Sequence, residues 1–155
     1  MREYPKYKKV LFCTDFSENA DYAFNFAHGI AKRDEGLLYI LHVIPGNPQE
    51  LLVEKLMPGD LIEKIHKVIE EDANTKYKKR YLEKAKDGVT CKAVTRSGRE
   101  DEEIINFAKE EKVDLIVMGT HGRTGIENVF FGSVAEKVLR RSPFPVLIIP
   151  SKKKA

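Results

Sequence analysis

The feature that most constrains this chain is the alternation of strand-length apolar runs with longer segments whose apolar residues recur every three or four positions. That alternation yields a parallel sheet covered by crossover helices. The first run is residues 9–14 (KVLFCT). Ser17 is placed to cap a helix with the stripe Ala20, Ala23, Phe24, Ala27, Ile30 and Ala31, and Gly36 closes the unit. Residues 37–44 (LLYILHVI) are nearly all apolar, as in a strand buried on both faces, and are expected to be central. Pro45, Gly46 and Pro48 end it, and a short helix or loop is expected before Pro58. Residues 59–86 read as one long helix with Leu61, Ile65, Val68, Ile69, Ala73, Tyr77, Tyr81 and Ala85 on one face, stopped by Gly88. VTCKAVT at 89–95 alternates as a strand. A helix over 100–112 carries Ile104, Ile105 and Ala108, and 114–119 (DLIVMG) is another buried strand. Ser133, with Glu136 three residues on, reads as a capping box opening a helix that runs to Arg141 and breaks at Pro143. PVLII (145–149) is the last strand, and the charged tail 151–155 is expected to fray.

Five strands and four crossovers fit in one domain, since 155 residues match roughly 100–200 residues per domain. A content of 42% hydrophobic and 33% charged residues can fill a core. Lys and Arg number 27 against 24 Asp and Glu, a net +3, far from the clustered basic excess of a nucleic-acid binder. The basic cluster Lys76, Lys78, Lys79, Arg80, Lys84 and Lys86 is interleaved with Glu71, Asp72 and Glu83 and reads as a solvated face. Cys13 and Cys91 sit in separate apolar runs with neither zinc-type nor disulfide-framework spacing, and both read as small core residues. The opening MREYPKYKK lacks an apolar stretch behind its charges, and no run approaches the roughly 18 residues of a membrane helix. A cytoplasmic protein without membrane or nucleic-acid partners is expected.

The chemistry concentrates in 118–136, MGTHGRTGIENVFFGSVAE. Gly119 and Gly122 follow a buried strand directly, where backbone N–H groups can approach a ligand with no Cβ in the way. Gly132 and Ser133 lie at a helix start, a natural phosphate site, and Arg123 would add a full positive charge. His121 lies between two of these glycines but has no neighbouring Ser or Cys at a spacing that suggests an activated nucleophile, and reads as an exposed loop histidine.

Gly119, two residues, Gly122, nine residues, Gly132, then Ser133 is a four-position signature, and with it the chain resembles the nucleotide-binding branch of the universal stress protein family. The likeness extends through VLFCTDFSENA, ILHVI, SGREDEEI, DLIVMGTHGRTG and GSVAEKVLRRSPFPVLIIP, nearly the whole chain. Cys13 and Glu100 stand where nucleotide-binding relatives often carry Pro. The resemblance implies an α/β fold, an open five-stranded parallel sheet of order 3-2-1-4-5 with helices on both faces. This is a Rossmann-like arrangement of the adenine nucleotide alpha hydrolase type. It implies ATP, or ADP or AMP, with Mg²⁺ or Mn²⁺ carried by the phosphates and no protein metal site. Asp15 would lie beside adenine and ribose and the Val43 backbone would meet the adenine, while Gly119, Gly122, Gly132, Ser133 and the Val134 N–H would form the phosphate loop. The location agrees with ligand binding at the switch point of an open α/β sheet.

Missing motifs narrow the chemistry. There is no P-loop, no GxGxxG after the first strand and no GxSxG elbow. CTDFSENA lacks the Ser-Gly-Gly loop, and the chain lacks the His-x-Gly-His motif, of adenylylating folds. No catalytic residue is assigned. The leading expectation is an ATP-binding regulatory switch in the stress response, read by a protein partner that the sequence does not name. The alternatives are a slow ATPase or phosphotransferase, for which no base is evident, and an interaction module with an empty site. By the same likeness, residues 145–150 form an apolar edge strand through which a homodimer is expected.

Overall fold

The computed structural model describes residues 3–120 and 131–152. The strands are β1 (Lys9–Cys13), β2 (Leu37–Pro45), β3 (Cys91–Gly98), β4 (Leu115–Gly119) and β5 (Val146–Ile149). They form one parallel sheet in the order β3-β2-β1-β4-β5. The apolar run of β2 is interior as its composition requires, although β1 takes the middle place, with Phe12 paired to Ile40 on one side and Val117 on the other.

The helices are α1 (Glu18–Arg33), α2 (Pro48–Leu56), α3 (Gly59–Tyr77), α4 (Glu100–Glu111) and α5 (Ser133–Arg141). Period-two alternation sends Val10, Phe12, Leu38, Ile40, Leu115 and Val117 to one face, against α1 and the end of α3. Leu11, Cys13, Tyr39, Leu41, Ile116 and Met118 go to the other, against α4 and α5. Helices therefore cover both faces. No helix among the described residues is long and apolar enough to cross a membrane.

Three local expectations need correction. The helix expected over 59–86 is regular only to Tyr77. A π-helical stretch follows at Lys78–Leu82, then a turn to Gly88, whose φ of +100° suits glycine. Its stripe is also divided. Ala73, Tyr77, Tyr81 and Ala85 are buried, whereas Leu61, Ile65, Val68 and Ile69 are exposed, because only the second half of this helix lies over the sheet. Finally, Ser133 does not open a capping box. Gly132 is the N-cap, with extended φ −66° and ψ 156°, and its carbonyl takes the first intrahelical bond, from the Glu136 N–H at 3.0 Å. Ser133 is thus the first helical residue, and its hydroxyl is not used as a cap. By contrast Ser17 caps α1 as expected, accepting from the Ala20 N–H at 3.2 Å.

Candidate functional site

The carboxyl ends of β1, β2 and β4 open into a cavity of about 500 Å³, within the roughly 300–1,000 Å³ of small-molecule sites. One side is the turn from β1 to α1, built by short-range polar bonds. The Thr14 N–H continues the ladder to the Leu41 carbonyl at 2.9 Å, Thr14 Oγ1 accepts the Phe16 N–H at 2.9 Å, and Asp15 Oδ1 accepts the Ser17 N–H at 3.0 Å. Phe16 sits at φ +61°, a left-handed conformation that costs a bulky side chain roughly 1–3 kcal/mol. The strain is offset by burial of its ring against His42 at 4.5 Å, Tyr77 at 5.2 Å and Tyr81 at 6.3 Å between centroids. Asp15, the residue before it, is thereby fixed at the cavity wall.

The end of β2 is held in the same way. His42 donates from Nδ1 to the Thr14 carbonyl at 2.8 Å, and its own N–H donates to Tyr77 Oη at 3.1 Å, so the Val43 backbone, still paired with β3, is held in a set place at the cavity. Beyond it Gly46 donates to the Gly98 carbonyl at 3.0 Å. Gly98 has φ +143°, which suits glycine, and a Cβ on Gly46 would make a tight 3.2 Å contact with Gly98 Cα, so the ends of β2 and β3 run close together, and Glu100 at the start of α4 lines the cavity.

The opposite side is the end of β4 and the start of α5. Gly119, Thr120, Gly132, Ser133, Val134 and Ala135 line it. The N–H groups of Ser133, Val134 and Ala135 precede the first intrahelical bond, so this wall presents orphan donors and the positive end of a helix dipole, roughly half a unit charge. The described lining residues also include three carboxylates, Asp15, Asp72 and Glu100, and one ammonium, Lys76, which pairs with Asp72 at 2.7 Å and lies 5.5 Å from the Phe16 ring centroid. One end therefore supplies acceptors for hydroxyl or amino groups, and the other supplies donors for an anion.

Of the residues singled out in the sequence, Asp15, Val43, Gly119, Gly132, Ser133 and Val134 line this single cavity. Gly122 and Arg123, with His121, lie outside the described residues. Cys13 lines the floor, and burial drives its thiol pKa far up, which suits an inert thiol rather than a nucleophile. Among the described residues no group of His, Cys, Asp and Glu side chains is arranged to hold a metal ion.

Residues 6–150 match the sequence profile of the universal stress protein family. The chain belongs to this family. Its relatives include universal stress protein MJ0577 of Methanocaldococcus jannaschii, 32% identical across 94% of this chain and 96% of that protein. Universal stress protein MJ0531 of the same organism is 36% identical across 96% of this chain and 85% of that one. The solved structure of MJ0577 superposes with a TM-score of 0.77 at 31% identity, covering 97% of this chain and all of that one. A universal stress protein solved in complex with cAMP shares the fold, with a TM-score of 0.61 at 24% identity over 96% of this chain.

Within this universal stress protein, reading the sequence missed Thr14, His42, Asp72 and Lys76 as cavity residues. Thr14 closes an apolar strand run and His42 interrupts one near its carboxyl end, and a polar residue so placed is the signal that would have found them. Asp72 and Lys76 had no such signal, since they read as an ordinary i,i+4 pair on a charged helix face.

Proposed function

We propose that this universal stress protein binds an adenine nucleotide, ATP with ADP and AMP as related ligands, and acts as a nucleotide-dependent regulatory switch. The observation that carries the reading is the convergence of four separate chain segments, at Asp15, Val43, Gly119 and 132–134, on one cavity with acceptors at one end and a helix N-terminus at the other. In this reading Asp15 accepts hydrogen bonds from the ribose or base, the Val43 backbone meets the adenine edge, and the N–H groups of Ser133 and Val134 take phosphate oxygens. Gly119 leaves the backbone accessible, and Gly122 and Arg123 complete the phosphate side. A divalent cation, Mg²⁺ or Mn²⁺, would travel on the phosphates and screen their charge from the carboxylates of the cavity. Native mass spectrometry of freshly purified protein tests the reading. An added mass equal to an adenine nucleotide supports it, and a bare chain that acquires no mass at millimolar Mg·ATP refutes it.

We further propose that the switch works in the cytoplasm as a homodimer joined along β5. β5 closes the sheet order, so its outer edge has no strand partner among the described residues. Of the two alternating pairs on this strand, Leu147 with Ile149 and Val146 with Ile148, the first has Ile149 already buried in the protomer, so the half-buried Val146 and Ile148 are the pair that would meet the two-fold mate. Changing both Val146 and Ile148 to Lys should yield monomers by sedimentation. A parent protein that is monomeric at tens of micromolar would contradict this assembly.

A further inference from the structure

Two tyrosines on one helical segment hold the end of β1 and the neighbouring stretch of β2, which together bring Asp15 and Val43 to the cavity. Tyr81, in the π-helical stretch, is fully buried, and its hydroxyl lies 2.6 Å from Thr14 Oγ1 and 2.8 Å from Asp21 Oδ1. The proton directions follow from the partners. The Asp21 carboxylate only accepts, so Tyr81 donates to it, Thr14 donates to Tyr81 Oη, and Thr14 Oγ1 still accepts the Phe16 N–H. Arg80 closes the chain on the other Asp21 oxygen. Tyr77 is equally buried. Its hydroxyl donates to the Val94 carbonyl at 2.6 Å, accepts the His42 N–H at 3.1 Å and lies 3.0 Å from Thr95 Oγ1. Each hydroxyl thus reaches the residue beside a proposed ligand contact, Thr14 before Asp15 and His42 before Val43, and both rings pack on the left-handed Phe16. The change from α to π winding begins between them, a feature frequent at functional sites.

We propose that Tyr81 and Tyr77 are positioning residues for nucleotide binding, Tyr81 setting the Asp15 turn and Tyr77 setting the Val43 backbone without touching the ligand. The inference rests on the reading of the cavity as an adenine-nucleotide site. Phenylalanine keeps each ring and removes only the hydroxyl, so Tyr81→Phe and Tyr77→Phe should fold. Tyr39→Phe is the control. Tyr39 lies near the start of β2, away from the cavity, and its hydroxyl donates to Glu111 at 2.6 Å, so its loss removes a comparable bond without reaching the cavity.

In calorimetric titration with Mg·ATP, Tyr81→Phe and Tyr77→Phe should each weaken binding about tenfold, as for one poorly aligned hydrogen bond. Tyr39→Phe should change affinity less than about twofold while lowering the melting temperature similarly. The losses of Tyr81→Phe and Asp15→Asn should fail to multiply in the double variant, because one acts through the other. Multiplying losses, or a Tyr81→Phe protein with parental affinity, would overturn the proposal. Amide exchange in the nucleotide-free protein reads the same link independently of ligand. Tyr81→Phe should speed exchange at Phe16 and Ser17, and unchanged exchange there would overturn it. If the parent itself bound no nucleotide, the ligand reading would fall while exchange still decided whether Tyr81 braces the turn.

Discussion

The two sides of the cavity are built on different principles. Around Asp15 and Val43 the backbone is fixed by buried side chains, with Thr14, Phe16, Tyr77 and Tyr81 bonded and packed together under the strand ends. Around Gly132 and Ser133 the main chain makes the wall, where a glycine N-cap and an exposed serine open α5 and the donors are peptide N–H groups. A side-chain wall is sensitive to what is removed from it. A backbone wall tolerates removal and responds to what is added.

The largest expected effect therefore comes from adding charge to the backbone wall. Ser133→Asp deletes a hydroxyl donor and sets a carboxylate against the phosphates. The added charge carries the effect: two like charges about 4 Å apart at an effective dielectric constant of about 20 repel by about 4 kcal/mol, on the order of a thousandfold in affinity. ATP binding should become undetectable by calorimetry. The fold should change by no more than about 0.5 kcal/mol in a melt, since an acid in the first turn suits the helix dipole. An Asp variant that binds as the parent does would move the phosphates away from α5. Next comes Asp15→Asn, which keeps the oxygen that accepts the Ser17 N–H and loses only the charge. It should cost about tenfold in affinity, read in the same titration, with little change in melting temperature. An unaltered affinity would remove Asp15 from the ligand.

Ser133→Ala is smaller still. Because Gly132 and not Ser133 caps α5, the substitution should change stability by less than about 0.5 kcal/mol, and the remaining N–H groups should keep affinity within about fivefold. A loss near 1 kcal/mol, the usual cost of a lost cap, would return the capping role to Ser133.

The smallest effect appears only in alkali. Burial pushes the Tyr77 phenol up to about 12, from a reference of about 10. A folded pKa above the unfolded one gives stability that is full below pH 10 and fades as pH rises toward 12. The parent should lose melting temperature across that window more steeply than Tyr77→Phe. Equal slopes would show that the Tyr77 hydroxyl is not shielded by the fold.

The same contrast explains what the sequence could tell. The strands and α1 were legible because their apolar periods are long and their caps local, as at Ser17. The backbone wall was legible as part of a cavity because glycines and a serine at a strand-to-helix junction carry a backbone meaning that spacing preserves. The side-chain wall was not, since Tyr77 and Tyr81 are one stripe in sequence and only the fold brings their hydroxyls to Thr14 and His42. Helix α3 shows the limit most plainly. Periodicity marks Leu61, Ile65 and Val68 as it marks Ala73 and Tyr77, but it specifies a face and not the sheet needed to cover it, and the first three are exposed. The π winding after Tyr77 also leaves the apolar spacing intact, so the sequence reads as unbroken helix.

The central claim is that the cavity takes an adenine nucleotide with its phosphates on the start of α5. Calorimetric titration of the parent protein with Mg·ATP, set beside adenosine, tests it most directly, because the two ligands share the side-chain wall and only ATP reaches the backbone wall. The account predicts one ATP bound per chain and adenosine weaker by at least about tenfold, the loss of one or more charge-assisted bonds. Adenosine binding as tightly as ATP, or no heat from either, would contradict it.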